Sequence, residues 1–226
     1  MRITILTGAG ISRESGLQTF RDGDGLWAGH SIEEVATATA LRRNPERVYD
    51  FYNSRRAEVR RAEPNAAHYA LAELAKRYPE TMIVTQNVDD LHERAGSPQV
   101  IHLHGEVLLA RHVDDPDYRV AVPGDLHFGD LSSVGKRLRP HICLFEETPF
   151  EWDRAVRFAQ RADVFAVIGT SLNVYPAAGL LDLTRASSVT LIDPNPPSVP
   201  SRVQVIAEPA TTGVPRWVQT LLGGEG

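Results

Sequence analysis

The chain has 226 residues, 42% hydrophobic and 23% charged, with a formal net charge of −5. That length and apolar content suit one α/β domain with room for a small inserted lobe, and the mildly acidic balance argues against bulk nucleic-acid binding. No apolar stretch approaches the roughly 18 residues of a membrane span, the N-terminal residues lack a signal-peptide layout, and the single Cys143 excludes an internal disulfide, so a cytoplasmic protein with no membrane partner is expected.

The first short apolar run, residues 3–6, predicts a buried strand and leads into Gly8-Ala9-Gly10-Ile11-Ser12. Glycines at that place let the backbone approach a phosphate. The third glycine of a dinucleotide fingerprint falls on Arg13, however, so a plain tight turn competes with a phosphate loop. Next, Phe20 and Arg21 stand side by side. Arginine can pair with a phosphate or carboxylate and phenylalanine can shield a reactive sugar, or the ring simply packs its own loop.

Residues 32–63 read as a helical insertion interrupted at Asn44-Pro45, followed by helical spacing over 66–78 and a second strand at 82–85. Residues 111–138, with Pro116, Pro123 and three glycines, predict a loop-rich lobe. A helix over 152–162 and strands at 164–168 and 189–192 complete the alternation. The pattern predicts a Rossmann-like parallel sheet with helices on both faces and ligands at the carboxyl ends of its strands. The large lobe would comprise about 1–31, 64–107 and 139–226, and the small lobe 32–63 and 108–138.

Polar residues collect at those strand ends. Gln86, Asn87 and Asp89 leave the second strand, and His104 follows in His102-Leu103-His104-Gly105-Glu106. Burying an amide or carboxylate without a partner costs roughly 1–3 kcal/mol, so these groups need one another or a ligand. An ordinary turn beside a satisfied core histidine is the competing reading. Gly169-Thr170-Ser171 ends the third strand and Asp193-Pro194-Asn195 the fourth.

These segments, with Glu14-Ser15-Gly16, Thr19-Phe20-Arg21 and Val174-Tyr175-Pro176-Ala177-Ala178, resemble the sirtuins, the NAD-dependent protein lysine deacylases. The resemblance runs from residue 3 to about 222. It implies that Gly8, Ala9, Gly10, Phe20 and Arg21 hold the NAD diphosphate and shield its ribose. Gln86, Asn87 and Asp89 would bind the nicotinamide ribose and carboxamide, and Gly169, Thr170, Ser171, Asn195 and Ala210 the adenosine side, with Asp193 an alternative to Asn195. His104 would be the general base, a task that suits histidine because its unperturbed pKa lies near working pH. Products would be free lysine, nicotinamide and O-acyl-ADP-ribose.

Ala36, Tyr52 and Arg55 resemble the signature of the sirtuin class that removes succinyl and malonyl groups. A phenol and a guanidinium three residues apart share one helix face and can both reach a carboxylate, although core packing and a surface charge would produce the same letters. Ile142 and Phe145 on one side, and a strand at Val174-Tyr175-Pro176 on the other, would clamp the acyl-lysine peptide.

Two departures from the family pattern stand out. The usual four zinc cysteines are missing from 107–140, where His112, Asp114, Asp115 and His127 match no trusted ligand spacing; no metal is expected, and packing of Tyr118, Val120, Val122, Leu126 and Phe128 would hold the lobe. Glu146 replaces a usual glycine in the substrate segment, where its charge could narrow the cleft or favour basic peptides. An obstructed cleft would favour ADP-ribosyl transfer to protein, or NAD hydrolysis, on the same site. A non-catalytic NAD or ADP-ribose sensor and an ordinary Rossmann oxidoreductase are the further alternatives. The sequence carries no signal for oligomeric state or for a particular protein substrate.

Overall fold

The computed structural model describes residues 1–19, 27 and 29–223; Phe20 and Arg21 lie outside them. The strands are β1 (Ile3–Thr7), β2 (Met82–Thr85), β3 (Val100–His102), β4 (Gly105–His112), β5 (Arg119–Ala121), β6 (Leu138–Ile142), β7 (Val164–Ile168), β8 (Ser188–Ile192) and β9 (Val203–Ile206). The helices are α1 (Ile32–Val35), α2 (Ala38–Arg43), α3 (Pro45–Arg61), α4 (Ala66–Arg77), α5 (Leu91–Arg94), α6 (Trp152–Arg161), α7 (Leu180–Leu183) and α8 (Ala210–Gly223).

Six strands form one parallel sheet in the order β3-β2-β1-β7-β8-β9, the Rossmann-like arrangement expected. The chain builds outward from β1 through β2 and β3, then crosses to β7 on the other side. This reversal leaves a crevice at the carboxyl ends of β1 and β7. Continuous apolar runs make these strands because both sheet faces are covered. Leu6, Val84, Phe165 and Val167 enter one core cluster, while Ile3, Ile5, Ile83, Ala166 and Ile168 enter the other, with Leu71 and Leu74 of α4 and Trp217 of α8.

Local chemistry explains the helix boundaries. Asn65 caps α4 reciprocally, its side chain accepting from Ala67 N–H (3.0 Å) while His68 Nδ1 accepts from Asn65 N–H (3.2 Å). The interruption at Asn44-Pro45 ends α2 and starts α3, with Pro45 in the first turn and Asn44 Oδ1 accepting from Arg47 N–H at 3.3 Å.

One expectation about the small lobe holds with added detail, and one about the substrate side needs correction. The stretch 111–138 is loop-rich as expected, and the three-residue β5 within it joins its flanking strands in an antiparallel sheet of order β5-β4-β6. Its strands lack apolar alternation because their polar residues are buried in pairs. Arg139 donates to Glu147 (2.7 Å), His141 stacks on Phe150, and His112 stacks on Tyr118 and bonds Ser132 Oγ at 2.9 Å. Val122 and Leu126 are buried in this sheet's cluster, and Tyr118 and Val120 pack against it, while Phe128 is half exposed. Secondly, Val174-Tyr175-Pro176 is a turn rather than a strand. It leads straight into the 3₁₀ helix Ala177–Gly179, and Pro176 has no N–H to give a ladder.

Candidate active site

Three glycines close the crevice floor. Gly10 N–H donates to Gly169 O (2.8 Å), and Gly8 N–H to Ile168 O (3.0 Å), so the loops after β1 and β7 interlock backbone to backbone. A Cβ on Gly8 would meet Thr170 Cβ at 2.7 Å, one on Gly10 would meet Gly169 Cα at 2.7 Å, and one on Gly169, whose φ is +63°, would meet Ile11 N at 2.4 Å. Only glycine suits this approach. The result is a cradle of closely packed backbone lining a cavity of about 900 Å³.

The polar residues leaving β2 are joined to both neighbouring loops. Gln86 Nε2 donates to Thr170 Oγ1 (3.2 Å), Asn87 Nδ2 donates to Ser12 Oγ (3.1 Å), and Ser12 Oγ donates to Asp89 Oδ2 (3.0 Å). Asp89 Oδ1 accepts from Leu91 N–H at 3.2 Å. Burial pushes the Asp89 carboxyl up to about 6, against the pull of its Leu91 and Ser12 bonds. The side chains are thus ordered by the protein itself and still face the cavity.

Two histidines brace the same segment. His104 Nδ1 lies 2.9 Å from Gln86 O, and His102 Nδ1 lies 3.3 Å from Asn87 O. A carbonyl only accepts, so Nδ1 carries the proton in both rings and Nε2 of His104 keeps its lone pair, the tautomer of a general base. Burial lowers the His104 pKa, opposed by the bond to Gln86, so the ring is neutral at pH 7. His102 differs because its Nε2 meets Glu93 Oε1 at 2.7 Å. Burial alone would lower its pKa, but the hydrogen bond and charge of Glu93 outweigh that and raise it.

The cavity continues to α3. Tyr52 and Arg55 are buried yet line it, as do Ala36, Ile142 and Phe145. Trp27, not singled out in the sequence, packs edge-on against Phe51 (4.9 Å) and Tyr52 (6.3 Å) and lines the same wall. Val174 and Tyr175 line it too, with Tyr175 70% exposed and Phe145 41% exposed. On the remaining side, Asp193, Asn195 and Ala210 contribute; Asp193 is buried and its Oδ1 accepts from Asn195 N–H at 2.8 Å, so the carboxylate orders the asparagine's backbone. Every expected site residue among the described residues therefore lines this one cavity.

The Sir2 family model matches residues 8–176. The chain belongs to the Sir2 family. A relative from Aggregatibacter actinomycetemcomitans, an NAD-dependent protein deacylase, is 51% identical over 193 residues, covering 85% of this chain and 92% of its own. Among solved structures, a Sir2 homologue–NAD complex superposes with a TM-score of 0.86 at 36% identity, covering 99% of this chain and 90% of its own. A Sir2–p53 peptide–NAD+ complex superposes at 0.81 with 28% identity, covering 100% and 94%.

Within this Sir2 chain, Glu146 lines the cavity wall. Its backbone has φ +77°, the left-handed conformation that favours glycine, and its side chain accepts from Thr39 N–H (3.0 Å) and Thr39 Oγ1 (2.9 Å). Cys143 is half-buried on the cavity wall, and burial pushes its thiol up to about 12. Among the described residues no group of three His, Cys, Asp or Glu is placed to hold a metal ion. Ser12, the hub between Asn87 and Asp89, carries no distinguishing signal in the sequence beyond its place in the first glycine loop.

Proposed function

We propose that the chain removes acidic acyl groups such as succinyl and malonyl from protein lysines in preference to acetyl. The broader activity follows from kinship: the chain is an NAD-dependent protein deacylase. NAD suits the site because the glycine loops after β1 and β7 line the cavity with backbone, and the amide side chain of Gln86 and that of Asn87 are already oriented beside them.

In this reading Gly8, Ala9, Gly10, Gly169, Thr170 and Ser171 hold the diphosphate and adenosine side, with Asn195 and Ala210 at the adenosine end. Gln86, Asn87 and Asp89 hold the nicotinamide ribose and carboxamide. Bound NAD supplies an electrophilic ribose carbon with nicotinamide as its leaving group. The acyl-lysine lies between the segment Ile142 to Phe145 and the turn at Val174-Tyr175, its acyl chain directed past Ala36. His104 accepts a proton from a ribose hydroxyl at Nε2, and the Gln86 carbonyl fixes that tautomer and stabilises the charged ring as it forms.

The observation that carries the acidic-acyl reading is the burial of a phenol and a guanidinium on one face of α3 where that face lines the cavity of His104. A guanidinium placed there binds a carboxylate far better than a methyl group. Glu146, held by Thr39, gives no support to an obstructed cleft and the transferase or hydrolase reading built on it. The test is kcat/KM on succinyl-, malonyl- and acetyl-lysine peptides of one sequence: higher values for the acidic groups are expected, and equal or reversed values overturn the proposal.

A further inference from the structure

Arg55 already has an anionic partner. Its Nη2 donates to Glu58 Oε1 one turn along α3, and both residues line the cavity with Tyr52. The two side chains differ in freedom: that of Arg55 is 9% exposed, while that of Glu58 is 27% exposed. Arg55 Cζ lies 5.7 Å from the Phe51 ring centroid, and its buried Nε–H has no acceptor among the described residues. The guanidinium is fixed in the wall with a donor to spare. Glu58 is the more exposed partner on the same wall.

We propose that Glu58 is a specificity-determining residue, an internal stand-in for the acyl carboxylate that an acidic acyl group must displace or share Arg55 with. The inference rests on the acidic-acyl reading above. A guanidinium this deeply placed needs a counter-charge, and Glu58 supplies it when the pocket holds no acid. The pair is neutral overall, so the attraction on a succinyl or malonyl group is weaker than Tyr52 and Arg55 alone would give. Two carboxylates converging on one guanidinium also repel each other. An acetyl group carries no charge to compete for Arg55. Glu58 therefore lowers the ratio of desuccinylation to deacetylation.

The test compares kcat/KM for succinyl- and acetyl-lysine peptides of one sequence in the wild type, Glu58→Gln, Glu58→Ala and Arg55→Met. Glutamine keeps an acceptor for Arg55 and removes the charge. The succinyl-to-acetyl ratio is expected to rise at least about fivefold in Glu58→Gln, as the loss of one nearby like charge dictates, and to rise also in Glu58→Ala. If the ratio stays the same or falls in both Glu58 variants while Arg55→Met lowers it, the role of Glu58 is overturned and the acidic-acyl reading stands. If the wild type favours acetyl and Arg55→Met leaves the ratio unmoved, the acidic-acyl reading fails and this inference falls with it.

Discussion

The two ends of the cavity are built on opposite physical plans. At the β1–β7 crevice the site consists of backbone, glycine and amide or hydroxyl side chains, each tied to a neighbouring loop: Gly10 to Gly169, Gln86 to Thr170, Asn87 to Ser12. At α3 it consists of a buried cation balanced by one acid, Arg55 with Glu58. The first plan fixes geometry over many residues. The second rests on one ion pair, so under the proposed acidic-acyl recognition a single side chain would retune it.

The largest effect should come from the residue that serves both ends. His104→Ala removes the proposed general base and is expected to lower kcat by at least about a hundredfold while NAD binding, followed by calorimetry, changes little. Full activity in that variant would take the histidine out of the mechanism. Next, Gly169→Ala drives a Cβ against Ile11 N from a left-handed backbone and should destabilise the fold by about 2–4 kcal/mol in denaturant unfolding. A near-neutral result would break the contrast between a rigid crevice and a tunable pocket.

A smaller effect of opposite sign is expected at Asp89. A carboxyl raised in the fold costs stability once pH exceeds its unfolded pKa near 4, and the cost is complete above its folded value of about 6. Asp89→Asn should therefore gain about 1–3 kcal/mol at pH 7, and nothing at pH 3, while losing activity. The smallest effect involves His102. Its raised pKa means that its pair with Glu93 stabilises fully below the unfolded value near 6.5 and fades as pH rises through the folded value. Glu93→Gln should cost about 1 kcal/mol or less at pH 6, since Glu93 is 41% exposed, and still less at pH 9. A larger loss at pH 9 than at pH 6 would contradict the charge assigned to His102.

Legibility in the sequence followed burial type. The strands at 82–85 and 164–168 and the helices from Ala66 and Trp152 were plain because continuous apolar runs and helical spacing mark elements covered by other elements. β6 was opaque because Arg139 and His141 are buried through pairing and stacking, which no hydropathy pattern encodes. β9 is a half-exposed edge carrying Gln204, and β3 is only three residues long. In the site, the Gln86-Asn87-Asp89 and His104 cluster stood out by its polar cost. The meeting of Gly10 with Gly169 did not, because the fingerprint lacks its third glycine and the partner lies 159 residues away. Glu58 was invisible for a different reason: an acid three residues after an arginine is an ordinary surface pair on most helices, and only its place on the cavity wall gives it meaning.

The most direct test of the whole account is to incubate the wild-type protein with NAD and a succinyl-lysine peptide, following nicotinamide release and peptide mass together. Nicotinamide release that depends on the peptide, with loss of the succinyl mass, is the predicted result. Release without peptide, or a gain of ADP-ribose mass on the peptide, would contradict it.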